Sequence, residues 1–424
     1  MAHLALKGGQ PVRTRPYPSW PQGGPQEMAR LQQVLSSNRW FAGPRGDDPD
    51  SLGAEFGRRF AQMHGLRFGM PVSNGSVSLE IALKALGLEQ GQEVIVPAYT
   101  FVSTATAVFM AGGVPVFADI DSRTYCLDPA DAVRRISAHT KVLLPVHLGG
   151  HLADMVALGS LARQHGLLIL EDAAQSIGAA WQGRKAGAWG QLGSFSFQAN
   201  KTITSGEGGL IASDDEELAE RVREMTAFGR IAGQGSAAGR SSALNSLRLS
   251  SNYRLSELQA AVLLAQMEKF PAQQERRLAN AAYLSQGLGQ IPGLTHVRRQ
   301  DPELEHGYYY YLLRYEPACF GGLAPAELCR ALNAEGAPFV PGDAHPIYRQ
   351  PVFQPANLAG ALCPQVLERY RQAVDPNDPG CPQAEEACRR TLILRHQVLL
   401  AQREDMDHIL EALSKVQRHV QELI

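Results

Sequence analysis

Lys201 stands where two kinds of backbone meet. The stretch GSFSFQANKTITSGEGG, residues 193–209, reads as a short buried strand over 194–197, a polar turn carrying Lys201, and a glycine-rich loop at Gly206, Gly208 and Gly209. Apolar and small neighbours give that amine a semi-dry setting. An ammonium removed from water tends to shed its proton, and the neutral amine attacks carbonyls. The glycines let the next backbone segment pass close to whatever the amine holds. The chain has seven lysines, and the other six fall in the N-terminal arm (Lys7), on exposed helix positions (Lys84, Lys269, Lys415), ahead of a strand (Lys141) or in a turn (Lys185). Two readings stand at this point: a solvated loop lysine, or an amine that forms an internal Schiff base with pyridoxal phosphate.

Three further stretches carry chemistry of a matching kind. Asp172 closes the apolar run LLILED, where an acid either marks a turn or faces a ligand at the strand's carboxyl end. A pyridine nitrogen needs such a carboxylate to stay protonated, because only the protonated ring is a strong electron sink. Gln175, three residues on, either reaches the ring oxygen of that cofactor or caps the following turn. Asn74-Gly75-Ser76 opens the helix SVSLEIALKALGL, whose free N–H groups and dipole suit a phosphate dianion, although a plain helix cap has the same look. Asn252 and Arg254, in SSNYRLSELQAA, lie just ahead of a long helix with Ser256 as a candidate cap. They are either an exposed helix start or a loop projecting into a phosphate site, such as that of a neighbouring subunit.

The elements that must position these groups alternate strand with helix from about residue 70. Strands are expected at 93–97, 114–119, 141–146, 167–172 and 193–197, with helices at 76–87, 101–111, 128–137 and 153–165. The pattern predicts an α/β domain whose mainly parallel sheet is covered on both faces. Residues 1–24, rich in Pro, Gly and Arg, read as an extended arm, and helices follow at 26–37 and 51–64 around the turn segment SSNRWFAGPRGDD. From 255 a helix runs to Pro271 and a second continues to about 288. A strand at 308–315 and helices at 325–335 and 404–421 then suggest a smaller α+β domain, with an irregular Pro-rich tract at 356–383. The expected domains are an arm over 1–24, a large domain over 25–271 and a small one over 272–424.

Composition narrows the class. A chain of 424 residues, 44% hydrophobic and 19% charged with net charge -2, reads as a soluble enzyme and gives no reason to expect nucleic acid or an anionic membrane as partner. Six cysteines show no metal-ligand spacing, so no metal is expected. The N-terminus lacks the apolar core of a signal peptide, and no apolar run approaches the roughly 18 residues of a membrane span. The cytoplasm is the expected compartment.

Taken together, NGSVSLEIALKALGL, EVIVPAYTFVSTATAV, LPVHLGGHLADM, LLILEDAAQSIGA, GSFSFQANKTITSGEGG and SNYRLSELQAAVL resemble, in order and spacing over roughly 70–270, the DegT/DnrJ/EryC1/StrS family of sugar and cyclitol aminotransferases. The resemblance implies the aspartate-aminotransferase fold (fold type I), pyridoxal 5'-phosphate as cofactor, and a homodimer with shared active sites. It implies that Lys201 is the Schiff-base lysine and the acid–base that moves the substrate proton. Asp172 would pair with the pyridine nitrogen, Gln175 lie near the ring oxygen and Phe101 stack on the ring. Gly75, Ser76 and Ser196 would hold the phosphate, with Asn252 donated by the second subunit.

Within the family, GGQPVRTRPYPSWP, HGYYYYLLRYEPACFGGL and RHQVLLA look most like the aminotransferases that act on scyllo-inosose and 2-deoxy-scyllo-inosose with L-glutamine. The 3-amino-5-hydroxybenzoate synthases share much of the pattern. Many nucleotide-sugar members carry R-x-H-G after the first small helix, where this chain has AFGRIAG with Phe228 and Arg230, a departure that weighs against a nucleotide-linked substrate. A dehydratase of the same fold would have histidine at the lysine position, and a non-catalytic partner protein would be expected to lose Lys201 or Asp172. Arg230, His345 and Tyr348 are candidate contacts for donor or acceptor. The identity of the ketone and the choice between glutamine and glutamate rest on loop side chains that one sequence does not single out.

Overall fold

The computed structural model describes residues 3–43, 48–230, 246–375 and 380–424. Positions 1–2 of the arm, 44–47 of the turn segment and 376–379 of the Pro-rich tract therefore lie outside the described residues. The chain is an α/β protein built on a seven-stranded sheet. Its strands lie in the order Phe68–Val72, Gly209–Ser213, Leu192–Ser196, Leu168–Asp172, Thr140–Leu143, Glu93–Pro97 and Val114–Ala118. Five neighbouring strands run parallel, and only Gly209–Ser213 runs against the rest. Glu93–Pro97, Val114–Ala118 and Leu192–Ser196 are buried at every residue, the state that near-continuous apolar runs predict for strands covered on both faces.

Helices Gly75–Ala85, Val102–Met110, Pro129–Arg134 and Met155–His165 form the crossovers expected from the sequence. Two strands of this sheet were not foreseen, Phe68–Val72 and Gly209–Ser213, which include Gly69, Pro71 and Gly209 and so hide among turn signals. Gly69 serves close packing: a Cβ there would lie 2.2 Å from the carbonyl oxygen of Gly57 on helix Leu52–Met63.

A second sheet is antiparallel, in the order Leu294–His296, Tyr310–Tyr315, Thr391–Arg395 and Phe339–Pro341. It packs with Leu328, Leu332, Ile409 and Leu413 into a core of its own. Two expectations are corrected here. Pro271 does not divide its helix: Glu257–Leu288 is continuous, with Ser256 capping it through a reciprocal bond with Gln259. A mid-helix proline costs about 3 kcal/mol, and burial of Leu263, Leu264, Phe270, Ala281 and Leu284 on both sides of it outweighs that cost. The tract read as irregular, 356–383, holds helix Pro364–Ala373, and helix Pro382–Arg390 starts at its end, each opened by a proline of the kind that suggested a loop. Their buried side chains, with Tyr348 and Phe353, join the core of the large sheet. Among the described residues no helix is long and apolar enough to cross a membrane.

Candidate active site

The carboxyl ends of the parallel strands open into a cavity of about 450 Å³. Seven of the residues singled out in the sequence line it: Gly75, Ser76, Phe101, Asp172, Gln175, Ser196 and Lys201. They come from five chain segments spread over residues 75–201, brought together because parallel crossovers return every strand end to one edge.

At one end of the cavity lies the N-terminus of helix Gly75–Ala85. Asn74 caps it, accepting from the Val77 amide at 2.9 Å and leaving the first-turn amides of Gly75 and Ser76 without a helical partner. Ser76 Oγ donates to Ser103 Oγ at 2.8 Å, and Ser196 faces the same corner. Gly75 has to be glycine here, since a Cβ would sit 2.5 Å from that of Ser196. Gly75→Ala is expected to push the helix end off the strand, costing about 1–3 kcal/mol and weakening affinity for inorganic phosphate in the cofactor-free protein. Thermal melts with and without phosphate measure both.

Asp172 sits across the sheet edge and is buried at 6% exposure. Thr104 Oγ1 donates to its Oδ2 at 2.9 Å and the Ala174 amide to its Oδ1 at 3.2 Å. Burial drives the carboxyl's pKa up, and these bonds together with Lys201 and His147 pull against that shift. Lys201 is half-buried, and burial of its amine lowers the pKa from 10.5 to about 8, with Asp172 acting in the opposite direction. The amine therefore has a neutral fraction at neutral pH. It rests 4.4 Å from the ring centre of Tyr309. Gln175 accepts the Gly149 amide at 2.8 Å, which turns its NH₂ group away from the backbone, and the ring of Phe101 is 65% exposed at the cavity mouth.

Phosphate donors at one end, an aromatic ring, a buried carboxylate and a semi-dry amine fit pyridoxal phosphate. The glycine corner offers the close approach a phosphate needs, and the partly bonded Asp172 has room for one more donor.

The other candidates lie outside this cavity. Asn252 is exposed, pairs with Ala227 through a backbone bridge, and accepts the Arg254 amide at 3.4 Å. Arg230 is half-buried, bridges to Ser246 and lies 5.3 Å from the ring of Phe228. His345 is exposed. Tyr348 is 1% exposed, packs on Phe117 and donates to Glu385 at 2.7 Å.

Several residues escaped the sequence reading. Thr100, Ser103 and Thr104 line the cavity from the start of helix Val102–Met110, and the i, i+3, i+4 spacing in TFVST was the available signal. Tyr309 and Tyr310 enter from the second sheet, hidden in a run of four tyrosines. Glu171 was passed over beside Asp172. Successive strand residues face opposite ways, so Glu171 turns from the cavity into the core. There it accepts the amides of Gly187, Trp189 and Gly190 at 2.6–2.8 Å and the Nε2–H of His147 at 2.7 Å. His147 is set in that tautomer because its Nδ1 accepts the Ala153 amide. Glu171→Ala strands all four donors in the core and is expected to cost about 3–5 kcal/mol, measured by denaturant unfolding.

The DegT/DnrJ/EryC1/StrS aminotransferase family model matches residues 21–414. The L-glutamine:2-deoxy-scyllo-inosose aminotransferase of Streptomyces lividus is 39% identical over 421 residues, covering 98% of each chain. A Streptomyces kanamyceticus protein, provisionally named as an L-glutamine:3-amino-2,3-dideoxy-scyllo-inosose aminotransferase, is 38% identical over 425 residues, 99% of this chain and 98% of that one. Among solved structures, 3-amino-5-hydroxybenzoic acid synthase superposes with a TM-score of 0.80 at 30% identity, over 96% of this chain and 99% of that one. With the family model matching residues 21–414 and full-length relatives at 38–39% identity, the chain belongs to the DegT/DnrJ/EryC1/StrS aminotransferase family.

Proposed function

We propose that this pyridoxal-phosphate aminotransferase moves an amino group from L-glutamine or L-glutamate to the ketone of a cyclitol of the scyllo-inosose type, in aminocyclitol biosynthesis. The observation that carries the acceptor class is the charge of the cavity: among the described residues that line it, Lys201 is the one cation, against the carboxylates Asp172 and Glu207. Such a wall suits a neutral polyol and offers little to a nucleotide diphosphate. The names of the full-length relatives support the same class.

When bound, pyridoxal phosphate supplies an electrophilic aldehyde and a ring that takes up the electron pair released with the donor's α-proton. Lys201 Nζ is the group that carries that proton, its lowered pKa letting it act as base near neutrality and as acid in the return direction. Asp172 would hold positive charge at the cofactor's ring nitrogen. The Gly75 and Ser76 amides with the Ser76 and Ser196 hydroxyls would hold the phosphate. Phe101 would pack against the ring, and the Gln175 NH₂ group would donate to its oxygen.

A homodimer belongs to this reading, with Asn252 reaching the neighbour's phosphate corner from its exposed loop, and Arg230 and His345 are assigned to donor and acceptor only through it, with Tyr348, buried against Phe117 and bonded to Glu385, left to the core. It also takes residues 1–24 as an arm, 25–271 as the cofactor-binding domain and 272–424 as the smaller domain, with the cytoplasm as compartment and neither nucleic acid nor membrane as partner. The test is a half-reaction screen. Enzyme first charged with each donor is offered scyllo-inosose, 2-deoxy-scyllo-inosose and nucleotide-linked keto-sugars in turn. Return of the aldehyde-form absorbance with the cyclitol ketones is expected, and return with the nucleotide-linked sugars alone defeats the proposal.

A further inference from the structure

The N-terminal arm reaches the catalytic lysine. Trp20 Nε1 donates to the main-chain oxygen of Lys201 at 3.1 Å. The indole stands edge-on to His396, with ring centres 4.6 Å apart and planes at 84°. His396 in turn lies face to face with Tyr309, at 6.0 Å and 24°, and Tyr309 is the ring over Lys201 Nζ. The His396 ring also touches the lysine's turn, its Nε2 lying 2.9 Å from the oxygen of Asn200. A carbonyl can only accept, so Nε2 carries the proton and the imidazole is fixed as that neutral tautomer. Burial, with Arg277 adding to it, holds the His396 pKa down to about 3, so the ring stays uncharged beside the amine.

The arm is tied down on either side of Trp20. Upstream, Arg15 Nη2 bonds Asp405 at 3.0 Å and Tyr17 Oη donates to the Asp405 carbonyl at 3.2 Å. Downstream, the Gln22 carbonyl accepts from Gln266 at 3.0 Å and from Lys269 at 3.3 Å. A ring held so firmly, with its single donor spent on the backbone of the catalytic residue, is poorly accounted for as surface packing.

We propose that Trp20 is a positioning residue for Lys201, its indole N–H fixing the lysine's own carbonyl and its ring backing the His396–Tyr309 wall against which the amine rests. It touches no reacting atom and acts through the lysine. Loss of the indole lets the turn at 198–201 shift and admits water behind the wall, which raises the proton affinity of Nζ. The charged and titratable groups around that amine are Asp172 on its strand, Tyr309 and Tyr310 from the second sheet, His396 behind them, and Glu207 on the glycine loop.

The inference rests on the catalytic role given to Lys201, and two separate measurements keep the two claims apart. Competitive acetylation of the cofactor-free protein across pH, read lysine by lysine by mass spectrometry, gives the titration midpoint of Lys201. The other six lysines report any global change. The wild-type midpoint is expected near 8. In Trp20→Ala it is expected to rise by about one pH unit, a roughly tenfold loss of neutral amine at pH 7. Trp20→Phe, which keeps a ring and removes only the donor, is expected to fall between. With pyridoxal phosphate restored, kcat should fall in the same order while KM for the donor changes little. An unchanged midpoint in Trp20→Ala with native melting overturns the proposal, as does an unchanged midpoint in Trp20→Phe should the alanine variant not fold. Failure of borohydride to fix the cofactor at Lys201 in the wild type removes the catalytic reading instead, whatever the midpoints show.

Discussion

Lys201→Ala is expected to fold and to lose turnover by at least about 10²–10⁴-fold, the range that a positioned proton carrier contributes. Loss of covalent anchoring adds to that. Among the described residues the amine makes no hydrogen bond, its principal contact being the ring of Tyr309. Its removal therefore strands no partner, and the melting temperature should stay close to that of the wild type. Two spectroscopic results should accompany the kinetic one. The wild type should show a yellow absorbance that borohydride abolishes, with reduced cofactor mass found on the peptide holding Lys201. The variant should show neither. Colour that persists unchanged in Lys201→Ala, and bleaches with borohydride as before, discards the role assigned to the lysine.

Asp172→Asn has the second largest expected effect, and it separates charge from shape. The amide is isosteric: its oxygen can still accept the Ala174 amide, and its NH₂ group then faces the Thr104 hydroxyl, which can turn to accept. The carboxylate is costly to bury, as its raised pKa records. Stability should therefore hold or rise slightly. Turnover should fall by about 10²–10³-fold, the effect of removing one preorganised electrostatic partner, because on the proposed reading no carboxylate then keeps positive charge on the cofactor's ring nitrogen. Near-normal turnover with a native melt contradicts the electron-sink assignment. The sign with pH follows from the same environment. A carboxyl whose pKa is raised by burial is destabilised in its charged form, so it takes up a proton at a higher pH than an exposed aspartate. Activity should thus be lost earlier on acidification than exposed carboxylates alone would give.

Much of the fold was legible because burial on both faces writes itself into composition. Glu93–Pro97, Val114–Ala118 and Leu168–Asp172 announce themselves as apolar runs, and strand ends of parallel sheets are where ligands collect. Gly209–Ser213 was read as loop because its first glycine matched a local turn signal, whereas close packing is what demands it: a Cβ at Gly209 would meet the Asn74 carbonyl at 2.4 Å. Pro271 was read as a break for the same reason. Local preferences amount to a few kcal/mol, and tertiary burial on either side of the proline exceeds them.

By itself, the sequence marked out groups that the fold gathers around one cavity. A lone lysine between a buried strand and a glycine loop, an aspartate closing an apolar strand and an Asn-Gly-Ser helix start are local patterns, each visible without its neighbours although its role is not. Only the tertiary structure decided what surrounds them. Trp20 lies 181 residues from the carbonyl it holds, and His396 lies 196 from the oxygen its ring contacts. Glu171 and Asp172 differ in duty solely because a pleated strand turns neighbours to opposite faces. Contacts of that kind leave no periodic trace along the chain, since they arise where separate segments meet and not from the spacing within any one of them.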